Sequence, residues 1–382
     1  MEPARQLELL HRVLALKAEN TSDRADASYR NPVRRYVDPA YSERERRQLF
    51  RRQPVLAALS CDVRDPGQYV TLRVGGVPVV VVRGPDGVVR AFHNVCRHRG
   101  SQVCEGSGTV RTFVCPYHSW TYGLDGALVS VRTRTGFDDL DITGFELAPI
   151  ACDEAAGMVF VRVDSEGLEP LDAAAWLAGV DGELAPFDFA SYHLVEVRHN
   201  ARRMNWKLAF DTFCEVHHIQ SLHGATIAPL VMSHASVFDA FGPHGRVLAS
   251  RWSVDELEGA DPADWRLLPH ATLLYLLAPA TVLIYQQDHV ELWQIEPGDD
   301  PDHCTMTISL YAPEAPTTDK ARSYWRKNMD LLMKVTDDED FVMCEQIQNG
   351  FHSGAQDEIV FGRVEPGLIH FHRSLESLLG DR

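Results

Sequence analysis

The spacing of hydrophobic residues changes along this 382-residue chain, and each change marks a predicted boundary. Residues 6–17 carry leucine and valine at helical intervals, which predicts an amphipathic helix. Ser42 and Glu45 form an S-x-x-E capping box, which predicts a second, short helix that ends before Pro54. We therefore predict an N-terminal helical arm over residues 1–54.

From Gln68 onward, β-branched residues at alternating positions replace the helical spacing. The predicted strands of this stretch cover residues 69–74, 77–83, 88–94 and 157–163. Gly75-Gly76 separates the first two strands and predicts a tight hairpin. We therefore predict an all-β domain over residues 55–165.

Both periods occur in the remaining residues, 166–382. Strands are predicted at residues 192–200, 272–277, 281–287, 289–296 and 305–311. Helices are predicted at residues 172–184, 206–222 and 318–348. Because the strands are grouped before the long last helix, that helix is expected to pack on an antiparallel sheet in a helix-grip arrangement. Near the C-terminus, His370 and His372 alternate and predict an extended segment. The fold class predicted for the whole chain is α+β.

Residues 96–118 contain two cysteines and two histidines in a C-x-H and C-x-x-H pattern: Cys96, His98, Cys115 and His118. Such a ligand set can hold a [2Fe-2S] cluster in which one iron takes the cysteines and the other takes the histidines. Zinc also binds two cysteines and two histidines. Zinc fingers, however, usually pair like ligands in sequence, whereas each half here pairs one cysteine with one histidine. The spacing therefore favours the cluster.

Composition and charge exclude several classes of protein. The net charge of −17 argues against nucleic-acid binding, which favours a basic patch. No apolar run approaches the roughly eighteen residues of a membrane span, and the N-terminus lacks the apolar core of a signal peptide. The eight cysteines show no disulfide-framework spacing. We expect a cytoplasmic protein of two domains that binds neither nucleic acid nor membrane.

A second group of metal-binding residue types lies within residues 205–223. Mononuclear non-haem iron enzymes commonly use two histidines and one carboxylate, and His218 and His223 are the candidate pair. On an ideal helix a five-residue step leaves two side chains about 140° apart. Both histidines can bind one metal only if the helix distorts or ends between residues 219 and 222. Taken alone, two histidines on a helix more often have a structural or surface role than a metal-binding one.

The sequences C-R-H-R-G from Cys96 and C-P-Y-H-S-W from Cys115 closely resemble the Rieske domain of Rieske non-haem iron (aromatic ring-hydroxylating) oxygenase alpha subunits. Ser119 replaces the glycine that is frequent in that family. The family's iron motif is Asn-Trp-Lys, an acidic residue three positions before the first histidine, and His-x4-His. Residues 205–223 match each of these elements. The resemblance extends over approximately residues 55–375.

This resemblance implies a role for individual residues. His218 and His223 would bind a mononuclear iron, and Asp340 matches the third ligand. Glu215 and Asn205 would be catalytic residues, with Glu215 hydrogen-bonded to His218 and to the partner subunit's His118. Glutamate at the position of Glu215 occurs in some relatives that act on carnitine-like or betaine-like compounds.

Other residues near the motif have open interpretations. His217 stands where tyrosine is frequent in the family, and it is either a residue next to the site or the first rival of His218 as ligand. Asp337 and Asp338 are expected on a solvated acidic face. Five apolar or aromatic residues are candidate pocket residues, although core packing is the more common role for any one of them: Phe210, Phe213, Leu230, Tyr285 and Trp293.

The resemblance implies a terminal oxygenase that contains a [2Fe-2S] cluster and a mononuclear Fe(II). It would use O2 and electrons relayed from NAD(P)H through a reductase or ferredoxin. The reaction would hydroxylate, dihydroxylate or demethylate a small organic substrate of aromatic or quaternary-ammonium type, with aromatic hydrocarbon catabolism as one setting. The two metals of one subunit are expected to lie too far apart for electron transfer, which implies a homotrimer.

The alternative function is a Rieske electron-transfer or ligand-binding protein with no active mononuclear iron. A helix packed on a sheet can enclose a ligand without catalysing a reaction, so the fold alone does not decide. A pure electron carrier has no need for the complete set of Glu215, His218, His223 and Asp340. The substrate itself, and whether a beta subunit is present, are not determined by the sequence.

Overall fold

The computed structural model describes residues 1–381, which form two units. The β unit comprises residues 50–176 and 188–191, and the mixed unit comprises residues 1–49, 177–187 and 192–381. The predicted N-terminal arm is therefore divided between them: its first 49 residues belong to the same unit as the C-terminal half. No helix in the described part of the chain is long and apolar enough to cross a membrane.

The chain begins with four short elements of the mixed unit. They are helix α1 (Pro3–Ala18), strand β1 (Tyr29–Pro32), helix α2 (Arg34–Val37) and helix α3 (Pro39–Glu45). Helix α1 confirms the helix predicted for residues 6–17, and it buries Leu9, Leu10 and Val13.

The capping box predicted at Ser42 is wrong. Helix α3 begins at Pro39, and the Asp38 side chain accepts a hydrogen bond from the backbone N–H of Ala40. Proline has the backbone angle of a helix and needs no amide partner in the first turn, so the helix starts before Ser42. A π-helical segment (Arg46–Arg51) follows α3.

The β unit contains ten strands. They are β2 (Val55–Leu59), β3 (Gln68–Val74), β4 (Val77–Arg83), β5 (Val89–His93), β6 (Ser107–Thr109), β7 (Phe113–Val114), β8 (Thr121–Tyr122), β9 (Leu128–Ser130), β10 (Pro149–Ala155) and β11 (Met158–Arg162). Seven of them form a sheet in the order β2-β11-β10-β5-β4-β3-β6, and β7, β8 and β9 form a smaller one. The pairings within both sheets are antiparallel, which confirms the all-β prediction.

The hairpin predicted at Gly75-Gly76 is confirmed. Val74 pairs with Val77, and both glycines have positive φ, as a two-residue hairpin turn of the favoured type requires. Strand β4 is buried on both faces. Its even-numbered valines, 80 and 82, belong to the core that contains Cys96 and Cys115, and its odd-numbered valines, 79 and 81, belong to a second core.

The mixed unit is built on one antiparallel sheet of seven strands in the order β12-β18-β17-β16-β15-β14-β13. Its strands are β12 (His193–Arg202), β13 (Val237–Phe241), β14 (His244–Ser250), β15 (Ala271–Leu277), β16 (Thr281–Gln286), β17 (His289–Pro297) and β18 (Cys304–Ala312). Strand β19 (Glu358–Phe361) pairs separately with β1. The sequence analysis did not predict β13 and β14, since charged and small residues interrupt the apolar spacing of β14 although every residue of it is buried.

The helices after the N-terminal segment are α4 (Ala173–Leu177), α5 (Asp181–Leu184), α6 (Trp206–Asp211), α7 (Ile219–Leu222), α8 (Asp319–Val335), α9 (Phe341–Phe351) and α10 (Pro366–Leu379). The helix predicted for residues 172–184 is two short helices, α4 and α5. The helix predicted for residues 206–222 is also interrupted, because residues 212–218 are not helical. The long helix predicted at 318–348 is α8 and α9 joined by a π-helical segment (Thr336–Asp340).

The extended segment predicted around His370 is wrong, because these residues lie in helix α10. Pro366 occupies the first turn of α10, and Gly380 ends it in the left-handed conformation. His372 is buried and bonds to Asp211 at 2.9 Å, and His370 bonds to the backbone carbonyl of His244 at the same distance. The two histidines therefore have packing roles.

Candidate metal centres

Two loops of the β unit carry the four residues of the C-x-H and C-x-x-H pattern. Cys96 and His98 follow β5, and Cys115 and His118 follow β7. Both cysteines are buried and their thiols are hydrogen-bond partners. The imidazole rings have centroids 4.8 Å apart, and His98 also stacks on Trp120 at 5.0 Å. The structure therefore brings the two cysteines together and the two histidines together.

The surroundings of these residues fit an iron–sulfur cluster. The hydroxyl of Tyr122 lies 3.2 Å from the Cys96 sulfur and accepts a hydrogen bond from the backbone N–H of Arg97. Burial, and then the positive charges of His118 and Arg99, lower the pKa of His98, which favours the neutral imidazole that binds metal. Two buried thiols beside two imidazoles form the donor set of a Rieske [2Fe-2S] cluster. The sequence analysis did not identify Tyr122.

In the mixed unit, the structure brings His218, His223 and Asp340 together. One donor atom from each lies within 4.8 Å of the other two. Asp340 Oδ1 is 3.0 Å from His223 Nε2 and 3.7 Å from His218 Nε2. Two imidazole nitrogens and a carboxylate oxygen thus face one point, which is the ligand set of a mononuclear non-haem iron.

A helix of only four residues separates the two histidines. His218 immediately precedes α7 and His223 immediately follows it. His218 still has helical backbone angles, whereas His223 departs from them, and the two ring centroids are 5.1 Å apart. The position predicted for the distortion is wrong, because residues 219–222 are helical and the break precedes them.

The π-helical segment places two neighbouring carboxylates on the same histidine. Glu339 Oε2 is 2.5 Å from His223 Nδ1, and Asp340 Oδ1 faces Nε2 of the same ring. A π turn spaces its hydrogen bonds one residue wider than an α turn and so rotates the side chains that follow. Residues adjacent in sequence can then both reach one imidazole. The helical period of the sequence gives no sign of a π turn, and for that reason Glu339 was not predicted as a partner of His223.

Glu215 and Glu339 each fix one histidine through its Nδ1 atom. Glu215 accepts hydrogen bonds from the ring of His218 and from the backbone N–H groups of residues 217 and 218. Glu339 accepts from His223 and from the hydroxyl of Thr226. Burial opposes ionisation of both carboxyls, but these hydrogen bonds outweigh it and lower both pKa values. Each carboxylate therefore sets the ring tautomer that leaves Nε2 available to metal.

His217 and Asp337 lie outside this constellation. His217 is half-buried and its Nε2 bonds to the backbone carbonyl of Val364 at 2.9 Å, so it does not compete with His218 as a ligand. Asp337, which was expected on a solvated face, pairs with Arg202 at 2.5 Å. Asp338 is exposed, as expected.

The Asn-Trp-Lys part of the motif connects the start of helix α6 to other segments of the mixed unit. Asn205 caps α6 and donates to the backbone carbonyls of Tyr36 and Pro301, both at 3.0 Å. Lys207 Nζ lies 2.7 Å from Glu45, and both side chains are only 1% exposed. These contacts engage the polar atoms of Asn205 in positioning the helix that leads to the metal ligands.

Family comparisons agree with these two centres. Residues 53–141 match the model of the Rieske [2Fe-2S] domain, and residues 189–381 match that of the ring hydroxylating alpha subunit (catalytic domain). The second match covers half of the chain, and the chain belongs to the ring-hydroxylating oxygenase alpha-subunit family. It therefore carries a Rieske [2Fe-2S] cluster and a mononuclear iron.

The chain is similar to proteins named as glycine betaine, carnitine and choline monooxygenases. The chain is 34% identical to the glycine betaine monooxygenase oxygenase subunit of Chromohalobacter salexigens over 51% of its own length and 43% of that protein. It is 27% identical to the carnitine monooxygenase oxygenase subunit of Escherichia coli over 95% and 97% of the two chains. It is also 27% identical to choline monooxygenase of Spinacia oleracea over 90% and 77%. The alignments span about half the length of the glycine betaine relatives.

Solved structures show the same fold at low sequence identity. A quaternary ammonium Rieske monooxygenase, solved with an inhibitor, superposes with a TM-score of 0.80 at 22% identity, covering 92% of this chain and 96% of that one. A naphthalene 1,2-dioxygenase from Rhodococcus sp. superposes with a TM-score of 0.75 at 19% identity, covering 98% and 97%. The fold is thus shared by proteins that act on different classes of substrate.

Proposed function

We propose that this chain is the terminal oxygenase of a Rieske non-haem iron system that monooxygenates a small quaternary ammonium compound. The observation that carries the proposal is the convergence of His218, His223 and Asp340, whose histidines are both held through Nδ1. An electron carrier gains nothing from this arrangement. The substrate class is supported by the relatives that oxidise glycine betaine, carnitine and choline.

The aromatic alternative has weaker support. Naphthalene dioxygenases share the fold with this chain, but a likeness at 19% identity carries no information on substrate. The relatives aligned over most of this chain include the carnitine and choline enzymes. Oxidation of a quaternary ammonium compound is therefore preferred to aromatic hydrocarbon catabolism.

Each residue of the two centres has a task in this proposal. Cys96, His98, Cys115 and His118 would hold the cluster, and His218, His223 and Asp340 would hold the iron. The bound metals supply one-electron transfer and O2 activation. Glu215 and Glu339 keep the Nδ1 protons on the two histidines, so that Nε2 stays unprotonated and oriented toward the metal.

Glu215 has a second task in the proposed assembly, a homotrimer in which His118 of one subunit donates a hydrogen bond to Glu215 of the next. The carboxylate already accepts from its own turn, but each of its oxygens has more than one lone pair. His118 is exposed, and it lies beside Tyr117, whose side chain is 56% exposed.

Apolar side chains near both centres support self-association. Val114, Tyr117 and Val129 of the β unit are at least half exposed, and Val342, Met343 and Ile347 of α9 are about 40% exposed. Exposed apolar groups of this kind commonly mark protein interfaces. We assign both faces to contacts between copies of this chain. Electrons would come from NAD(P)H through a separate reductase or ferredoxin. We place the activity in the cytoplasm, since none of the eight cysteines forms a disulfide.

The test combines metal analysis with turnover. Protein purified anaerobically should contain about three irons per two acid-labile sulfides and give a rhombic EPR signal after reduction. With a reductase and NADH, it should convert glycine betaine, carnitine or choline into a product carrying one atom from ¹⁸O2. The His223→Ala variant should lose turnover and keep the cluster signal. Two irons per two sulfides, unchanged after iron is added back, would show an electron carrier instead.

A further inference from the structure

The carboxylates that hold the two histidines of the iron centre are themselves anchored in different ways. Glu215 accepts hydrogen bonds from two backbone N–H groups of the turn that carries His218, so the backbone fixes this carboxylate. The hydrogen bonds that reach the carboxylate of Glu339 from residues 1–381 come from two side chains, the ring of His223 and the hydroxyl of Thr226. The orientation of Glu339 therefore depends on a threonine.

The imidazole and the hydroxyl meet at one oxygen of Glu339. His223 Nδ1 is 2.5 Å from Glu339 Oε2, and the hydroxyl oxygen of Thr226 is 2.8 Å from the same atom. The hydroxyl also lies 3.4 Å from the backbone carbonyl of His223. Because a hydroxyl has a single hydrogen, and the carboxylate is both nearer and charged, the carboxylate receives it. The contacts thus run from hydroxyl to carboxylate to imidazole.

Little else restrains the carboxylate of Glu339. Its side chain is 24% exposed, and among residues 1–381 no lysine or arginine forms an ion pair with it. A glutamate side chain has several rotamers, so holding it in one of them costs conformational entropy. Of its two donors, only Thr226 is independent of the imidazole that the carboxylate has to orient. Without that hydroxyl, the carboxylate gains freedom to turn toward water.

The backbone after His223 fixes the hydroxyl in place. The backbone N–H groups of Thr226, Ile227 and Ala228 all lie 3.0–3.1 Å from the backbone carbonyl of His223. The carbonyl of Ala228 accepts a hydrogen bond from the indole N–H of Trp252 at 3.0 Å, which ties the other end of this turn to a separate segment. Threonine is also β-branched and has few side-chain rotamers. The hydroxyl is therefore held at a set distance from the histidine.

We propose that Thr226 is a positioning residue of the iron centre, whose hydroxyl orients Glu339 and through it the ring of His223. The iron ligand is then held by a chain of two contacts, in which Thr226 sets the carboxylate and the carboxylate sets the imidazole. The inference goes beyond the proposed function and rests on it only for the presence of the iron. It concerns the affinity for metal, which is measurable without any substrate.

The first measurement is the dissociation constant for Fe(II), taken anaerobically on protein that keeps its cluster after a chelator has removed the mononuclear iron. Thr226→Val keeps the shape of the side chain but removes the donor, and the constant should rise about 3- to 10-fold. Thr226→Ser keeps the hydroxyl and should bind like the wild type. Equal binding by wild type and Thr226→Val would overturn the proposal, and so would a serine variant as weak as the valine one.

Ser221→Ala is the matched control. Its hydroxyl lies in α7 beside the other histidine, but it contacts the backbone carbonyl of His218 at 3.3 Å and no carboxylate. This variant should bind Fe(II) like the wild type. A rise as large as that in Thr226→Val would reject the specific role of Thr226. Where Thr226→Val does not fold with its cluster, Thr226→Ala takes its place, because it removes the donor without adding bulk.

The second measurement asks whether Thr226 acts through Glu339. In a Glu339→Ala background the acceptor is gone, so adding Thr226→Val should change the Fe(II) dissociation constant less than about twofold. A merely structural role of the threonine would survive the loss of the carboxylate. The same fold-change in both backgrounds would therefore refute the proposed chain of contacts.

These measurements separate the inference from the proposed function. An affinity for Fe(II) that depends on Thr226, without turnover of any quaternary ammonium compound, would keep the inference and reject the function. Turnover of such a compound, with an affinity for Fe(II) that is indifferent to Thr226, would do the reverse. A wild-type protein that binds no iron beyond its cluster would reject both.

Discussion

The two metal centres of this protein are built in different ways. The four cluster residues lie within residues 96–118, on two loops that follow strands of one unit. The iron ligands come from two segments 117 residues apart in sequence, and they depend on a four-residue helix and a π-helical segment. A centre made of local loops is visible in sequence spacing, whereas a centre made of distant segments becomes defined only when the mixed unit folds.

The largest effect on metal content and activity is expected from replacing one of the four cluster residues. Cys115→Ser replaces a soft sulfur ligand by a hydroxyl and should abolish the cluster signal and turnover. About one iron per chain should persist in the mixed unit, measured by metal analysis. Cys104→Ser, which alters a neighbouring, partly buried thiol outside the ligand set, is the control and should keep the signal. Loss of both metals in Cys115→Ser would show that the two centres do not form independently.

The next largest effect is expected on the stability of the mixed unit, from breaking its buried ion pair between Lys207 and Glu45. Lys207→Met leaves the carboxylate of Glu45 buried without its partner and should destabilise the mixed unit by about 3–5 kcal/mol. Burial lowers the pKa of Lys207 and raises that of Glu45, so only their pairing keeps both charged. Urea unfolding followed by tryptophan fluorescence measures the change, and the visible absorption of the cluster reports the β unit separately.

The double variant Glu45→Met with Lys207→Met is the control for this prediction. Removing both charges should recover most of the lost stability, because neither charge is then buried alone. A double variant as unstable as Lys207→Met would show that packing, and not charge, dominates at this position.

A smaller effect, on iron affinity or turnover, is expected from changing Glu339, whose carboxylate bonds to His223 Nδ1. Glu339→Gln keeps the size of the side chain but weakens its hold on Nδ1, and it should reduce iron affinity or kcat about 10- to 100-fold. Iron titration and steady-state turnover measure both quantities. The exposed neighbour Asp338→Asn should behave like the wild type. Equal effects of the two variants would indicate a general influence of negative charge instead of a hydrogen bond.

The smallest effect is expected on the stability of the β unit, from a substitution in its glycine hairpin. Gly76 has a φ of +83°, and only flexible arginine side chains lie near a Cβ built on it. Gly76→Ala should therefore cost about 1–2 kcal/mol from backbone strain alone. Gly136, which has no such φ and open space around it, is the control, and Gly136→Ala should change stability very little. The midpoint of cluster loss in urea compares the two variants, and equal midpoints would contradict the strain argument.

Much of the fold was predictable from residue spacing. The hairpin at Gly75-Gly76 and the helix over residues 6–17 followed from local rules, and the structure confirms both. Strand β14 was not predictable, because an arginine in a sequence predicts a surface position, whereas Arg246 is buried. Helix α10 was predicted as extended, since two alternating histidines resemble a strand when the start at Pro366 is overlooked.

The sequence by itself determined the four candidate cluster residues, because two Cys–His pairs at this spacing favour a [2Fe-2S] cluster. The candidate iron ligands followed from the resemblance to a family and not from spacing alone. The tertiary structure decided which neighbours orient them. Glu339 reaches His223 only because a π turn brings together groups that no local period relates. Side chains distant in sequence meet through packing of the whole unit, and that packing carries no local signature.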